Sequence, residues 1–366
     1  ISYGKLNEVD KKLTDNQGNQ VSIESKPNNY NETLVNGFLE LLPNPHEQYQ
    51  YYKKNDTIIH LNSEYISKLI DDCKKQLTSN SATPVIKLKS PIKIFGSING
   101  QYNDLMRYFS LFGRPSELKG DIECVDYLFL GDFSGRGAFS LETICLLLAL
   151  RIKFNGHFHI LRGNQEDGEI TQFYGLGEEC KEKLKEDINK PNSIFQRLCN
   201  LFEYLPLVAI VNNQIACMHS GIGENSLNLT EINKLKFPIK VSERCEAQEI
   251  LWSTPVFTGN DDSINNNNNK KYKKMYNEKL VIEFLKLNKL KMIIRSHDVC
   301  DMGISKCYGD KIITIFSSTN DCGIYKNTGA MLFIKKSYEI QPKILTCEDK
   351  IAVWQKDDWS KTDWPP

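Results

Sequence analysis

The chain has 366 residues, 40% of them hydrophobic, and its 46 Lys+Arg balance 46 Asp+Glu for a formal net charge of +0. That length supports a sizeable core in one large domain or two smaller ones, and neutrality argues against nucleic acid or an anionic membrane as the main partner, since both call for a basic surplus. Eleven cysteines, spread from Cys73 to Cys347 without a CxxC pair, suggest neither a disulfide framework nor a zinc ribbon and point to a reducing compartment.

The first ten residues are polar, lack an initiator Met and contain no apolar stretch of a targeting signal, so they read as the start of a fragment. Residues 1–57 are rich in Asn, Lys, Gln and Asp, and the spacing predicts a polar extension with one short helix over 32–42, ended by Pro43 and Pro45. Folding proper is expected from Ile58. Asn62 is placed to cap a helix whose apolar positions Ile66, Leu69, Ile70, Cys73 and Leu77 follow helical spacing. Short apolar runs then follow at 92–96, 127–131, 159–163, 215–219, 292–297 and 312–317, each closing on glycine or a polar cluster. They read as buried strands, and helical patterns such as 140–150 and 194–202 lie between them. Strands alternating with helices indicate a layered α/β domain with its ligands outside the carboxyl ends of the strands.

Two stretches depart from this alternation. Residues 261–274 (DDSINNNNNKKYKK) form a low-complexity insert, expected to be a disordered surface loop before a helix at about 278–287. The tail, 347–366, carries Trp354, Trp359 and Trp364; it either wraps onto the domain or docks a partner, for which indoles make good anchors. The longest apolar run, 144–150, is far too short for a membrane span.

The strand ends carry a series of motifs: Gly96-Ser97-Ile98-Asn99-Gly100, Gly131-Asp132-Phe133-Ser134-Gly135-Arg136-Gly137, Gly163-Asn164-Gln165-Glu166, His219-Ser220-Gly221, Arg295-Ser296-His297 and Ser317 through Asp321. In order, spacing and flanking strands this series resembles the phosphoprotein phosphatase family of serine/threonine phosphatases, whose motifs read GDxHG, GDxVDRG, GNHE, HGG, RxH and SAxNY. The likeness runs from about Ile58 to Leu345, and the stretches at 217–223 (CMHSGIG) and 317–322 resemble its kelch-repeat subfamily, although the chain contains no kelch repeat. The resemblance implies a layered α/β/β/α metallophosphoesterase-type sandwich over 58–346. It also implies a pair of cations about 3.5–4 Å apart that share a water and clamp the phosphoryl group.

Departures from the motifs change that expectation. The first cation's GDxHG ligands are Ser97 and Asn99 here, and a hydroxyl and an amide replace a carboxylate and an imidazole poorly. The ligands that the family uses for the second cation correspond to Asp132, Asn164, His219 and His297, a credible mixed N/O set. One divalent ion (zinc, manganese or iron) is therefore expected and a second is not; alternatively the four residues persist as hydrogen-bonded fillers of a former site. The family's acid histidine is Gln165 and its orienting aspartate is Gly135. An amide donates no proton at neutral pH, which removes roughly 10²–10⁴-fold in rate.

Phosphate recognition is expected to be partly kept. Arg136 takes the place of the family's phosphate-binding arginine or else satisfies nearby carbonyls, and Arg295 is either a second contact or a packing residue. A second family arginine would fall in the insert, where only Lys270 and Lys271 are near. The family's site tyrosine is Asp321 here, whose charge opposes a phosphate dianion. His46, His60, His157 and His159 read as surface or satisfied core residues, the last two without an acidic neighbour. The expectation is thus a catalytically degenerate, cytoplasmic scaffold within a larger cytoskeletal or signalling assembly. Its partners would be proteins, phosphoproteins among them, and neither nucleic acid nor membrane. The alternatives are a slow mononuclear phosphoesterase and a purely structural component.

Overall fold

A computed structural model describes residues 61–79, 81–117, 120–256 and 274–347. The helix expected at 32–42, His46, His60, the insert up to residue 273 and the Trp-bearing tail from 348 onward lie outside the described residues.

Helix α1, Ser63–Leu77, starts where Asn62 accepts a 2.8 Å hydrogen bond from the Glu64 amide, so one of the orphan N–H groups of the first turn is satisfied. Ile66, Leu69, Ile70, Cys73 and Leu77 form its buried stripe. Strands β1 (Val85–Leu88) and β2 (Ile92–Phe95) come next, then α2 (Tyr102–Phe112), β3 (Asp126–Phe129), α3 (Ser140–Lys153) and β4 (Phe158–Ile160). Helices α4 (Gly168–Phe173), α5 (Leu176–Leu184) and α6 (Ile194–Phe202) precede β5 (Val208–Val211) and β6 (Ile215–Met218). Helices α7 (Leu229–Ile232) and α8 (Cys245–Trp252), the short pair β7 (Thr254–Pro255) and β8 (Met275–Tyr276), and α9 (Glu278–Leu287) follow. The chain then runs through β9 (Met292–Arg295), β10 (Ile304–Cys307), β11 (Ile312–Ile315), β12 (Gly329–Ile334) and β13 (Ile340–Leu345).

The strands build two mixed sheets, β1-β5-β6-β9-β11-β10 and β13-β12-β2-β3-β4. Their facing surfaces meet in an apolar layer that includes Ile94, Leu128, Leu161, Cys217, Ile294 and Ile315. Strands buried on both faces read as continuous apolar runs rather than alternating ones, which is how Ile94 and Phe95 can be adjacent and both buried. On the outer face of the five-stranded sheet α3 is buried all round from Ser140 to Leu150, because α1, α5 and α6 cover it. Helices α7, α8 and α9 cover the outer face of the other sheet. The order helix, sheet, sheet, helix is the α/β/β/α sandwich expected from the sequence.

A polar seam joins the sheets at their carboxyl ends. Ser97, just past β2, bridges to Phe316, just past β11. The Ser97 carbonyl accepts from Ser317 N at 3.1 Å and Ser318 N at 2.9 Å, while Gly96 N donates to Ser317 Oγ at 2.8 Å. A methyl group at Gly96 would collide with the Ile315 carbonyl and the Ser296 hydroxyl, so only glycine permits this approach. Among the described residues no helix is long and apolar enough to cross a membrane.

Gly96→Ala is expected to push the sheets apart at the seam and to cost about 1–3 kcal/mol, as overpacking does. Urea unfolding checks it; an unchanged midpoint would show that the seam yields without strain.

A candidate metal centre and the polar chain beside it

Asp132 lies just past β3, His219 directly after β6 and His297 two residues after β9, so the three ligand-bearing ends converge from both sheets. Their ligand atoms all lie within 4.8 Å of one another, and among the described residues they form the cluster of His, Cys, Asp or Glu suited to a metal ion. Asn164, from the loop after β4, completes it: its amide lies 2.8 Å from His219 Nε2 and 3.1 Å from His297 Nδ1. The other nitrogen of His219, Nδ1, meets the Leu130 carbonyl at 2.9 Å. A carbonyl only accepts, so Nδ1 carries the proton, which leaves Nε2 of the neutral ring with its lone pair pointing inward.

The Asn164 amide fits the cluster in two orientations. With Oδ1 inward, amide oxygen, carboxylate and two imidazoles present lone pairs to a common centre, a donor set that fits one divalent cation. With the amide turned over, its NH₂ donates to both rings and to the Asp132 oxygens at 2.9 and 3.1 Å, and its own protons fill the centre. Burial opposes the charge on Asp132, yet the adjacent His219 holds its carboxyl below the ordinary carboxylate value. His219 is likewise buried, and Asp132 holds its imidazole above the ordinary value. Burial pushes His297 down to about 3, so that ring stays neutral.

Backbone geometry at these ends is strained. Asn99, Asp132 and His297 have φ of 52°, 53° and 70°, a left-handed region that non-glycine residues rarely occupy. Glu166 holds one of them in place. Fully buried, it accepts from the amides of Asp132 at 2.7 Å, Phe133 at 3.2 Å and Gly163 at 2.9 Å, and from the Ser134 hydroxyl at 3.0 Å. Burial, reinforced by Asp132, pushes its carboxyl up to about 7. In the sequence Glu166 is only the last residue of its motif, and nothing local signals this task.

Beside the cluster, Asp132, Gln165, Asn99, Asp321 and Arg136 form a hydrogen-bonded chain. Gln165 Nε2 donates to Asp132 Oδ2 at 3.0 Å and to Asn99 Oδ1 at 2.8 Å; Asn99 Nδ2 donates to Asp321 Oδ1 at 2.8 Å; Arg136 Nη1 donates to Asp321 Oδ2 at 2.7 Å. Ser97 Oγ sits 3.0 Å from Ser296 Oγ. Both oxygens of Asp321 and the amide oxygen of Asn99 thus accept from protein donors, while Gln165 Oε1 is buried with no partner among the described residues. Gly135 and Gln165 fit one another: Gly135 has φ 114°, and a Cβ there would occupy the place of Gln165 Oε1.

Arg295 is buried and spends its fork on the Ser220 carbonyl, on Asp298 Oδ2 at 2.6 Å and on Thr314 Oγ1 at 3.3 Å. Since Ser220 follows His219 and Asp298 follows His297, these bonds hold together the two ends that carry the imidazoles. Two further residues had no role in the sequence reading. Asp104, buried on α2, accepts from Thr319 N at 2.7 Å and so fixes the loop that carries Asp321. Tyr174 lies under the Arg136 guanidinium, 5.1 Å from ring centre to carbon. One expectation needs correction: His157 does have an acidic neighbour, Asp126, at 2.8 Å, because β3 and β4 pair in parallel and set the two side by side. His159 bonds the Gly156 carbonyl at 3.2 Å, and burial pushes its ring down to about 4.

The sequence profile of the calcineurin-like phosphoesterases matches residues 90–301, more than half of the chain. The chain belongs to that family. It is 36% identical over 286 residues to serine/threonine-protein phosphatase BSL2 of Arabidopsis thaliana, an alignment that takes in 78% of this chain and 28% of that protein. It thus spans less than a third of that relative. Among solved structures, a Saccharomyces cerevisiae serine/threonine phosphatase described as similar to human PP5 superposes with a TM-score of 0.67 at 23% identity, over 83% of this chain and 97% of that one. A cold-active protein-tyrosine phosphatase of a Shewanella species superposes at 0.50 with 13% identity, over 72% and 84%. These likenesses show the sandwich fold. The family uses divalent metals, which agrees with the convergent donors of Asp132, Asn164, His219 and His297.

Protein equilibrated with Mn²⁺ or Zn²⁺ and then desalted is expected to retain metal by elemental analysis, and His219→Ala to weaken retention by at least about tenfold. Equal retention by the variant would mean that the four residues only fill the space.

Proposed function

We propose that this chain is a pseudophosphatase: a serine/threonine phosphatase-like scaffold that keeps one cation site, binds protein partners and has little or no turnover. The observation that carries this reading is the chain Asp132–Gln165–Asn99–Asp321–Arg136. By the motif resemblance, Asn99 and Gln165 in this chain correspond to a ligand of the first cation and to the proton donor of the related phosphatases. The amide of Gln165 has no acidic proton to give a leaving oxygen, and the carboxylate of Asp321 adds negative charge where a phosphoryl group would need neutralising.

Asp132, Asn164, His219 and His297 would hold the single divalent ion, which when bound polarises a coordinated oxygen. In this reading the ion mainly draws four strand ends together, because it neutralises donors that would otherwise face one another. The cysteine usage supports a cytoplasmic location, and the Trp354, Trp359 and Trp364 tail is the proposed docking element on sequence grounds. The intact four-residue cluster favours one competing reading, slow mononuclear hydrolysis of phosphoserine or phosphothreonine proteins.

Turnover separates the two. Incubated with Mn²⁺ or Zn²⁺ and an aryl phosphate or a phosphoserine peptide, the protein is expected to release phosphate no faster than its Asp132→Asn variant. Metal-dependent release abolished by Asp132→Asn would overturn the proposal in favour of the mononuclear enzyme.

A further inference from the structure

Asp321 follows Asn320, whose φ of 44° turns the chain sharply, and its side chain is completely buried. Each carboxylate oxygen has a fixed partner. Oδ1 accepts from Asn99 Nδ2 at 2.8 Å and from Ser318 Oγ at 3.4 Å; Oδ2 accepts from Arg136 Nη1 at 2.7 Å and lies 3.5 Å from Cys322 Sγ. The Asp321 amide donates to Asn327 Oδ1 at 2.9 Å, so the backbone is held as firmly as the side chain.

Arg136 is the other half of the contact. Its side chain keeps 19% of its surface, its guanidinium rests on Tyr174, and its buried Nε has no hydrogen-bond partner among the described residues. A guanidinium fork that keeps part of its surface open to solvent is suited to an oxyanion from outside. The place beside it is already taken by a carboxylate from the same chain.

We infer that Asp321 is an internal anion that occupies Arg136 and closes the mouth of the site to phosphate, so that partners are recognised whether or not they are phosphorylated. The inference deepens the pseudophosphatase reading and rests on it. Asp321 is tethered within 2.7 Å of its partner, whereas a free anion must give up its translational freedom to reach the same place. An anion that displaced Asp321 would also leave a buried carboxylate uncompensated next to a second negative charge. Both effects favour the internal occupant. The contact therefore sets specificity by exclusion, in the way that unpaired or repulsive groups reject a wrong ligand.

The test uses phenylphosphonate, a phosphate monoester mimic without a cleavable ester, and inorganic phosphate. Each is titrated against the whole chain by calorimetry, in EDTA and again in Mn²⁺. Wild type is expected to show no saturable, Arg136-dependent binding up to about 10 mM, while Asp321→Asn and Asp321→Ser gain at least about tenfold in affinity. The double variant Asp321→Asn/Arg136→Gln loses the gain. Millimolar or tighter binding by wild type that Arg136→Gln removes would overturn the inference, as would two folded Asp321 variants with no gain. Circular dichroism identifies variants that do not fold; the comparison of wild type with Arg136→Gln then decides alone, and equal, unsaturable titrations support the inference. Aryl phosphate turnover by wild type, run in parallel, tests the pseudophosphatase reading separately. Turnover without Arg136-dependent binding sinks that reading alone, and binding without turnover sinks the internal anion alone.

Discussion

The site depends on the close approach of two sheets at one end. β2 belongs to the five-stranded sheet and β11 to the six-stranded one, yet just beyond both strands the backbones of Gly96–Ser97 and Phe316–Ser318 are hydrogen-bonded to each other. Twisted sheets packed face to face ordinarily diverge toward their corners. Here the missing side chain of Gly96 and the hydroxyls of Ser296 and Ser317 keep them together. Side chains that leave β3 in one sheet can then meet those that leave β6 and β9 in the other, which no single sheet could arrange at such short range.

Charge within this convergence is divided into two halves. One half, Asp132 with Asn164, His219 and His297, gathers lone pairs around a point. In the other half Asn99 receives Gln165, and Asp321 receives Asn99 and Arg136, while Gln165 Oε1 is buried with no partner among the described residues. Buried polar groups cost little when each is paired and a great deal when one is not. Glu166 serves both halves, because the amides it collects belong to the loop that aims Asp132 on one side and leads to Arg136 on the other.

Much of the scaffold can be read from the residues. The stripe of α1 and its Asn62 cap are local features, and the runs that end in glycine or a polar cluster mark the strands leading to the site. Strands β1, β5, β10, β12 and β13 escaped that reading: β5 (VAIV) directly follows a helix and a Leu-Pro-Leu stretch, while Lys306 in β10 and Pro342 and Lys343 in β13 interrupt their runs. The site residues were legible as motif positions. Their pairings were not, because Asp321 meets Arg136 from 185 residues away and Asp126 meets His157 only through strand pairing. The buried carboxylate of Glu142, pushed up to about 7 by burial and paired with Lys183 at 2.8 Å, is a further long-range match hidden inside an apolar helix.

The fit between Gly135 and Gln165 constrains how this chain could ever change course. With Gln165 in place, any side chain at position 135 collides with its amide and must also adopt a φ of 114°. The same coupling runs along the polar chain, in which Gln165 donates to Asn99 and Asn99 donates to Asp321. A substitution at one of these positions therefore leaves a buried neighbour without its partner, and the cost of each change depends on what stands at the others.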